Sequence, residues 1–486
     1  MLYLLFFITV LLFIATFFMS KGDLLSPAVL LCMVFLICMG FALINVEAWN
    51  IDYHFKTFGI MLAGIGSFVL ASIPFYAVEL NADVGANSVN REYHAIRPNN
   101  KIVWLFIIVD IAITIIYIRE VMRISVLGGN SMGLAGASFY YRNYTSMNSD
   151  AESVSTLLNQ FLKLSRALGF VSIFLLAYNS RSVEKNKGCH SLLLLVVFGV
   201  LQSLIGGGRG LLLWYVGMAF SSFYIITMAK YGWNKRISFR YIIIGMVTLC
   251  VVLVAFYLLK YWLRIGNDVN SGFDYISYYA GGPIQNFNLY IENPPSNSHR
   301  LWGQETFIGL HSTLSTFGLE QNYNLVYSAN SNLEYRWSGL IALGNVYGAI
   351  RRYYNDFGLL GVVVLQVIAS VFYNTYYYRI KRMSRSNRSM NLWPILLYCV
   401  LTYHLFEFPI DDNLYKSFLS FNMFTTFVII YLVYYLFIKL HVRPDGWRGE
   451  LRNHSVRRAF RTGMSKMLST SYFFLRNSAC AARPLL

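Results

Sequence analysis

Apolar runs, most of them about twenty residues long, alternate along this chain with short polar segments. A bilayer core about 30 Å thick needs roughly 20 apolar helical residues per crossing. In lipid the backbone must satisfy its own polar groups, which a helix does. The runs predict transmembrane helices at 2–19, 25–45, 58–77, 102–118, 160–179, 190–206, 210–229, 241–262, 356–377, 392–410 and 417–438. The expected fold is therefore an all-α polytopic integral membrane protein of about eleven spans (between ten and twelve) with a large, partly helical external loop. The chain divides into residues 1–261, the first eight spans with a loop at 119–159; residues 262–355, the large loop; residues 356–438, the last three spans; and residues 439–486, a basic tail.

Composition supports that class: 56% of the 486 residues are hydrophobic and 13% charged, and the mean hydropathy is +0.48. The net charge of +17 invites a nucleic-acid reading, but its placement argues against one. Lys and Arg concentrate in 181–188, 230–240, 379–388 and the tail after Ile438. Alternation puts all four on one side, and the excess of Lys/Arg makes that side cytoplasmic. The turn at 206–210, the 119–159 loop, the 262–355 loop and, with eleven spans, the N-terminus then face outward. The apolar N-terminal run has no basic flank and no small-residue cleavage site, so it reads as a retained span. Val456, Phe460, Met464 and Leu468 recur every four residues among the tail's arginines. That stretch is either an amphipathic helix on the anionic leaflet or a solvated basic tail. No CxxC spacing or other metal-ligand pattern occurs, so neither disulfides nor a metal site are expected.

The candidate chemistry lies on the outward side. Loops as long as 262–355 usually carry function. Two segments of this one have helical spacing: 273–293, broken near Gly281-Gly282-Pro283, and 305–317. Its basic residues Arg264, Arg300 and Arg336, with Arg351 and Arg352 at its end, are all arginine. Guanidinium presents a planar fork that matches phosphate oxygens in pairs, so several around one cleft would clamp a diphosphate. Arg209, in the GGGRG turn between two spans, fits the same role. Glycines there permit close backbone approach, and the N–H groups of the following helix favour an anion. The plainer alternative is an interfacial arginine in a glycine turn. Where the loop re-enters the membrane, Asn345 is a candidate helix cap, and Tyr347, Arg351 and Asn355 share a face. Asp356 either pairs with Arg352 or sits at the mouth as a proton acceptor. Asp356, Glu305, His311 and Glu334 are the candidate bases, with packing the alternative for His311. Asp411-Asp412 is expected to cap a helix.

The segments YYAGGPIQNFNLYIEN, GQETFIGL and NVYGAIRRYYNDFGLLG, together with DLLSP at 23–27 and the arginine turn at 206–210, resemble the O-antigen polymerases of the Wzy type across most of residues 20–440. The resemblance gives Asn345, Tyr347, Asp356, Gly358 and Arg209 counterparts in that family; Arg351-Arg352 has no clear counterpart. It implies a bacterial inner-membrane enzyme whose large loop is periplasmic. Such an enzyme joins oligosaccharide units carried on undecaprenyl pyrophosphate, and a chain-length regulator and a flippase are candidate partners. The leaving group is already activated, so no cofactor, metal or nucleotide sugar is expected, and no D-x-D triplet occurs. An O-antigen ligase and a lipid-linked oligosaccharide flippase are the competing expectations.

Overall fold

The computed structural model describes residues 1–82, 93–147, 151–183, 190–208, 210–233, 272–295, 301–321, 333–339, 341–385 and 390–441. The expected span 241–262, the side chains of Arg209, Arg264 and Arg300, and the tail stretch 456–472 lie outside these residues. The described helices are α1 (Leu2–Met19), α2 (Pro27–Ile44), α3 (Phe55–Ala82), α4 (Asn100–Leu127), α5 (Leu134–Met147), α6 (Thr156–Asn179), α7 (His190–Ile205), α8 (Gly210–Lys230), α9 (Gly272–Ala280), α10 (Gly282–Glu292), α11 (Ile308–Thr316), α12 (Ala349–Arg385), α13 (Leu392–Glu407), α14 (Leu414–Phe418) and α15 (Phe421–Tyr434), the last continued by a π-turn to Lys439. Among the described residues, 8 helices are long and apolar enough to cross a membrane, and α7 and α13 are shorter apolar helices. The chain is thus an all-α membrane protein.

The burial pattern is that of a chain solvated by lipid. On α1 the apolar Tyr3, Phe7, Leu11, Ile14 and Phe18 are exposed while Thr9 and Thr16 are buried. Both threonine hydroxyls bond backward to carbonyls of their own helix, Leu5 at 2.8 Å and Leu12 at 2.8 Å. Along α4 a similar apolar stripe is exposed, including Trp104, Ile108, Ile111 and Ile115. Such stripes would be a liability in water and are the norm facing acyl chains.

Local signals fix the helix ends. Pro27 opens α2, where its missing N–H costs nothing. Asn99 and Ser155 cap α4 and α6 with their side-chain oxygens. The fourth helix runs past residue 118, where the pattern predicts a loop, to Leu127, and near its end Arg123 pairs with Glu120 at 2.8 Å and Glu152 at 2.6 Å. The loop proper is shorter than expected and contains α5. In the large loop the helix break at Gly281 appears as predicted, between α9 and α10. A two-stranded antiparallel hairpin, β1 (Arg336–Ser338) with β2 (Ile341–Gly344), was not expected.

Helix α12 starts at Ala349, before the expected 356, so Asn345 is not its cap; Asn345 is exposed in the connection after β2. The helix is capped instead by another segment: Gly348 N–H donates to Ile410 O at 2.9 Å and Ala349 N–H to Phe408 O at 2.9 Å. Gly348 has φ +80, and a Cβ there would meet the Pro409 carbonyl oxygen at 2.8 Å. Gly348→Ala should therefore lower stability by about 1–3 kcal/mol from backbone strain, before the contact is counted; a thermal melt in detergent checks this. A second break at Gly358 (φ 65, ψ −160) separates the first turns of α12 from its long membrane segment.

The helix ends sort into two groups. At one end Asp23 accepts hydrogen bonds from Tyr224 (2.8 Å), Tyr377 (2.7 Å) and Lys381 (3.0 Å), and Glu79 pairs with Lys381 and Arg385. Lys230 and Arg181 meet there too. At the other end lie the 206–208 turn, α9 to α11, the hairpin and residues 408–420. The described ends of the first three basic segments and the described parts of the large loop thus lie at opposite ends of the helices.

Candidate functional site

The loop arginines come together, but with carboxylates. Arg351 is 1% exposed. Its guanidinium donates to Glu305 and, at 2.9 Å, to Glu334, and it lies over the Tyr290 ring at 4.7 Å and the Tyr347 ring at 4.8 Å. Tyr290 also donates to Asn355 Oδ1 at 2.7 Å. Tyr347 precedes α12, so it shares no helix face with Arg351 and Asn355; its ring meets Arg351 from beyond the Gly348 turn. Arg336 bonds Asn293 O (2.7 Å), Glu334 (3.2 Å) and Tyr347 Oη (3.2 Å). Arg352 pairs with Asp411 at 2.7 Å, and Lys416 joins the same carboxylate at 2.6 Å.

Asp356 is not the partner of Arg352. It accepts the N–H groups of Glu305 (3.0 Å) and Thr306 (2.7 Å), which ties the loop to α12. The physical reason is the Gly348 turn, which turns Arg352 toward the 408–412 segment. His311 stands apart from this cluster: Nε2 bonds the Trp302 carbonyl at 2.9 Å and Nδ1 lies 3.4 Å from Glu320. Asp412 does cap α14, accepting from Leu414 N (3.0 Å) and Tyr415 N (3.2 Å).

Electrostatics follow these pairings. Burial would raise Asp411, but Arg352 and Lys416 hold its carboxyl well below the usual range. Burial likewise opposes ionisation of Glu334, and Arg351, the local backbone and Arg336 together carry it below its ordinary value. Glu305 is buried deeply enough to be lifted to about 7 despite Arg351 and Arg352. Burial, then the neighbouring Asp411, lift Asp412 to about 7. Arg336, Arg351 and Arg352 are thus neutralised within the fold, which leaves little positive charge there for a ligand.

A different cation is uncommitted. Helices α4, α6, α7 and α8 border a half-open cavity of about 170 Å³, whose lining includes Tyr117, Arg166, Gln202, Ser203, Gly206, Gly208 and Tyr215. Arg166 enters it from α6. Its Nε is buried and has no hydrogen-bond partner, and among the described residues no carboxylate pairs with it. One turn earlier Lys163 bonds only Thr425, at 2.9 Å. Gly206 and Gly208 of the glycine turn line the cavity rim, and at Gly206 nothing larger fits: a Cβ there would lie 2.4 Å from Tyr117 Oη. Ser203 Oγ donates to Gly208 O at 2.5 Å and holds the turn. Arg209 belongs to this turn, between the described Gly208 and Gly210.

On the far side of Gly210 stands Glu407. The Tyr403 hydroxyl lies between Gly210 O, 2.9 Å away, and Glu407 Oε1. Asn413 donates to the other carboxylate oxygen. A Cβ on Gly210 would be 4.0 Å from Glu407 Oε1. Comparison with family models, curated proteins and solved structures finds no match for this chain.

Sequence reasoning missed both Arg166 and Glu407. Each was counted inside an apolar span. A span interrupted by Lys163 and Arg166, three residues apart on one helix face, was the available signal.

Proposed function

We propose that this protein polymerises oligosaccharide units carried on undecaprenyl pyrophosphate, at the outer face of a bacterial inner membrane. The growing glycan passes from its lipid carrier to the next lipid-linked unit, and undecaprenyl pyrophosphate leaves. The observation that carries this reading is Arg166, an arginine that has no carboxylate partner among the described residues, in a cavity beneath the turn that bears Arg209. Holding a cation at membrane depth costs about 2.5–3.5 kcal/mol on insertion scales. An anionic ligand offsets that cost, and a diphosphate matches the guanidinium fork. In the reaction the arginines stabilise the charge that grows on the departing diphosphate. The basic segments at the opposite end set the orientation, cytoplasmic side there and cavity side outward. Arg336, Arg351 and Arg352, through their pairings with Asn293, Glu305, Glu334 and Asp411, hold the described parts of the loop over the membrane mouth.

A lipid-linked oligosaccharide transporter is the second reading. Asp110 favours it: this α4 carboxylate is fully buried beside Ser165 and pairs with no cation among the described residues, and ionisable groups at span depth often mark transport paths. A lipopolysaccharide gel of a deletion strain separates the two. Loss of the ladder with a single attached unit retained is the result expected here. Loss of every attached unit would instead indicate a transporter or a ligase.

A further inference from the structure

The acceptor sugar must lose a proton as its hydroxyl attacks, and a base has to stand within hydrogen-bond reach of it. At the cavity end of the molecule most carboxylates are already engaged. Glu305 and Glu334 hold Arg351, Asp411 holds Arg352 and Lys416, Asp356 accepts two backbone N–H groups, and Asp412 caps α14. Glu407 differs. Its described partners are two neutral donors, the Tyr403 hydroxyl and the Asn413 amide, and among the described residues no cation forms an ion pair with it. It also faces the turn directly, across Gly210, whose neighbours Gly208 and Leu211 line the cavity holding Arg166.

We infer that Glu407 is the catalytic base of the transfer, accepting the proton of the acceptor sugar hydroxyl at the glycine turn. The inference rests on the polymerase reading. In the step, the acceptor oxygen forms a bond to the anomeric carbon of the donor glycan. The bond from that carbon to the diphosphate oxygen breaks, and its electron pair leaves with undecaprenyl pyrophosphate. The acceptor proton goes to Glu407 and then to water. Tyr403 and Asn413 hold the carboxylate in place, and Gly210 leaves room for a sugar hydroxyl to approach.

The test uses the full-length protein in detergent with a lipid-diphosphate-linked repeat unit as substrate. Glu407→Gln keeps size and hydrogen-bonding capacity. It is expected to match the parent in thermal stability and in affinity for undecaprenyl pyrophosphate. Its turnover should fall by about 10²–10⁴-fold, the usual contribution of a positioned base. Glu407→Asp, which withdraws the carboxylate by one methylene, should retain part of the turnover and an acidic limb in its pH profile that the Gln variant lacks. Turnover of Glu407→Gln within a few-fold of the parent overturns the inference. So does loss of turnover together with stability or undecaprenyl pyrophosphate affinity, which marks a structural role. If the parent protein itself makes no polymer, the polymerase reading fails first, and the inference with it.

Discussion

Arg166→Ala is expected to leave cells with single-unit polysaccharide while the protein still inserts and accumulates normally. The expectation of normal folding comes from the absence of a described carboxylate partner. Removing one member of a buried ion pair strands the other charge; here none is stranded, and a costly cation is taken out of the membrane domain. The expected loss is therefore confined to function. Deleting one preorganised donor to a developing anion costs about 10²–10³-fold in turnover, enough to abolish a ladder that needs many sequential transfers. Arg166→Lys keeps the charge but not the two-pronged geometry, so it should rescue poorly. The measurement is a complementation assay read on a lipopolysaccharide gel, with protein level checked in the same membranes. A normal ladder from Arg166→Ala would remove this residue from the site.

Arg351→Ala should fail differently, through stability. Its guanidinium is the shared partner of Glu305 and Glu334 and lies over the rings of Tyr290 and Tyr347. Truncation leaves Glu305, 2% exposed, as a buried acid without its arginine, a change that costs about 3–5 kcal/mol. The lost ring contacts add about 0.5–2 kcal/mol. The expected result is a large drop in detergent melting temperature and low accumulation in membranes. Pairing Arg351→Met with Glu305→Gln should recover a substantial part, because the stranded carboxylate is gone. Protein that does fold should keep most of its turnover per molecule. An unchanged melting temperature in Arg351→Ala would contradict the structural role assigned to the pair.

These two arginines also show how far the sequence could be read. Hydropathy located the helices because lipid imposes one requirement on every span, and α1, α2, α6 and α8 fall almost where the apolar runs place them. The break at Gly281 was legible because glycine and proline act locally. Arg351 was read as a ligand-binding residue because its acids are distant: Glu305 is 46 positions away and Glu334 17. Arg352 likewise found Asp411, 59 positions away, rather than its neighbour Asp356 at helical spacing. Such pairings are made by packing and leave no trace in local spacing. Arg166 was hidden for the converse reason, since two charges near one end, Lys163 and Arg166, barely lower the hydropathy of a long span. The glycine turn was singled out correctly as a feature, but the cavity that it rims depends on Tyr117 and Tyr215 from other helices.

The account stands or falls on whether this chain alone lengthens a glycan on its lipid carrier. Purified protein, given only an undecaprenyl-pyrophosphate-linked repeat unit, should produce a ladder of longer products and release one undecaprenyl pyrophosphate per bond formed, and Arg166→Ala should produce neither. Equal ladders from the two proteins, or no lengthening and no released carrier from the parent in intact, well-folded form, would contradict it.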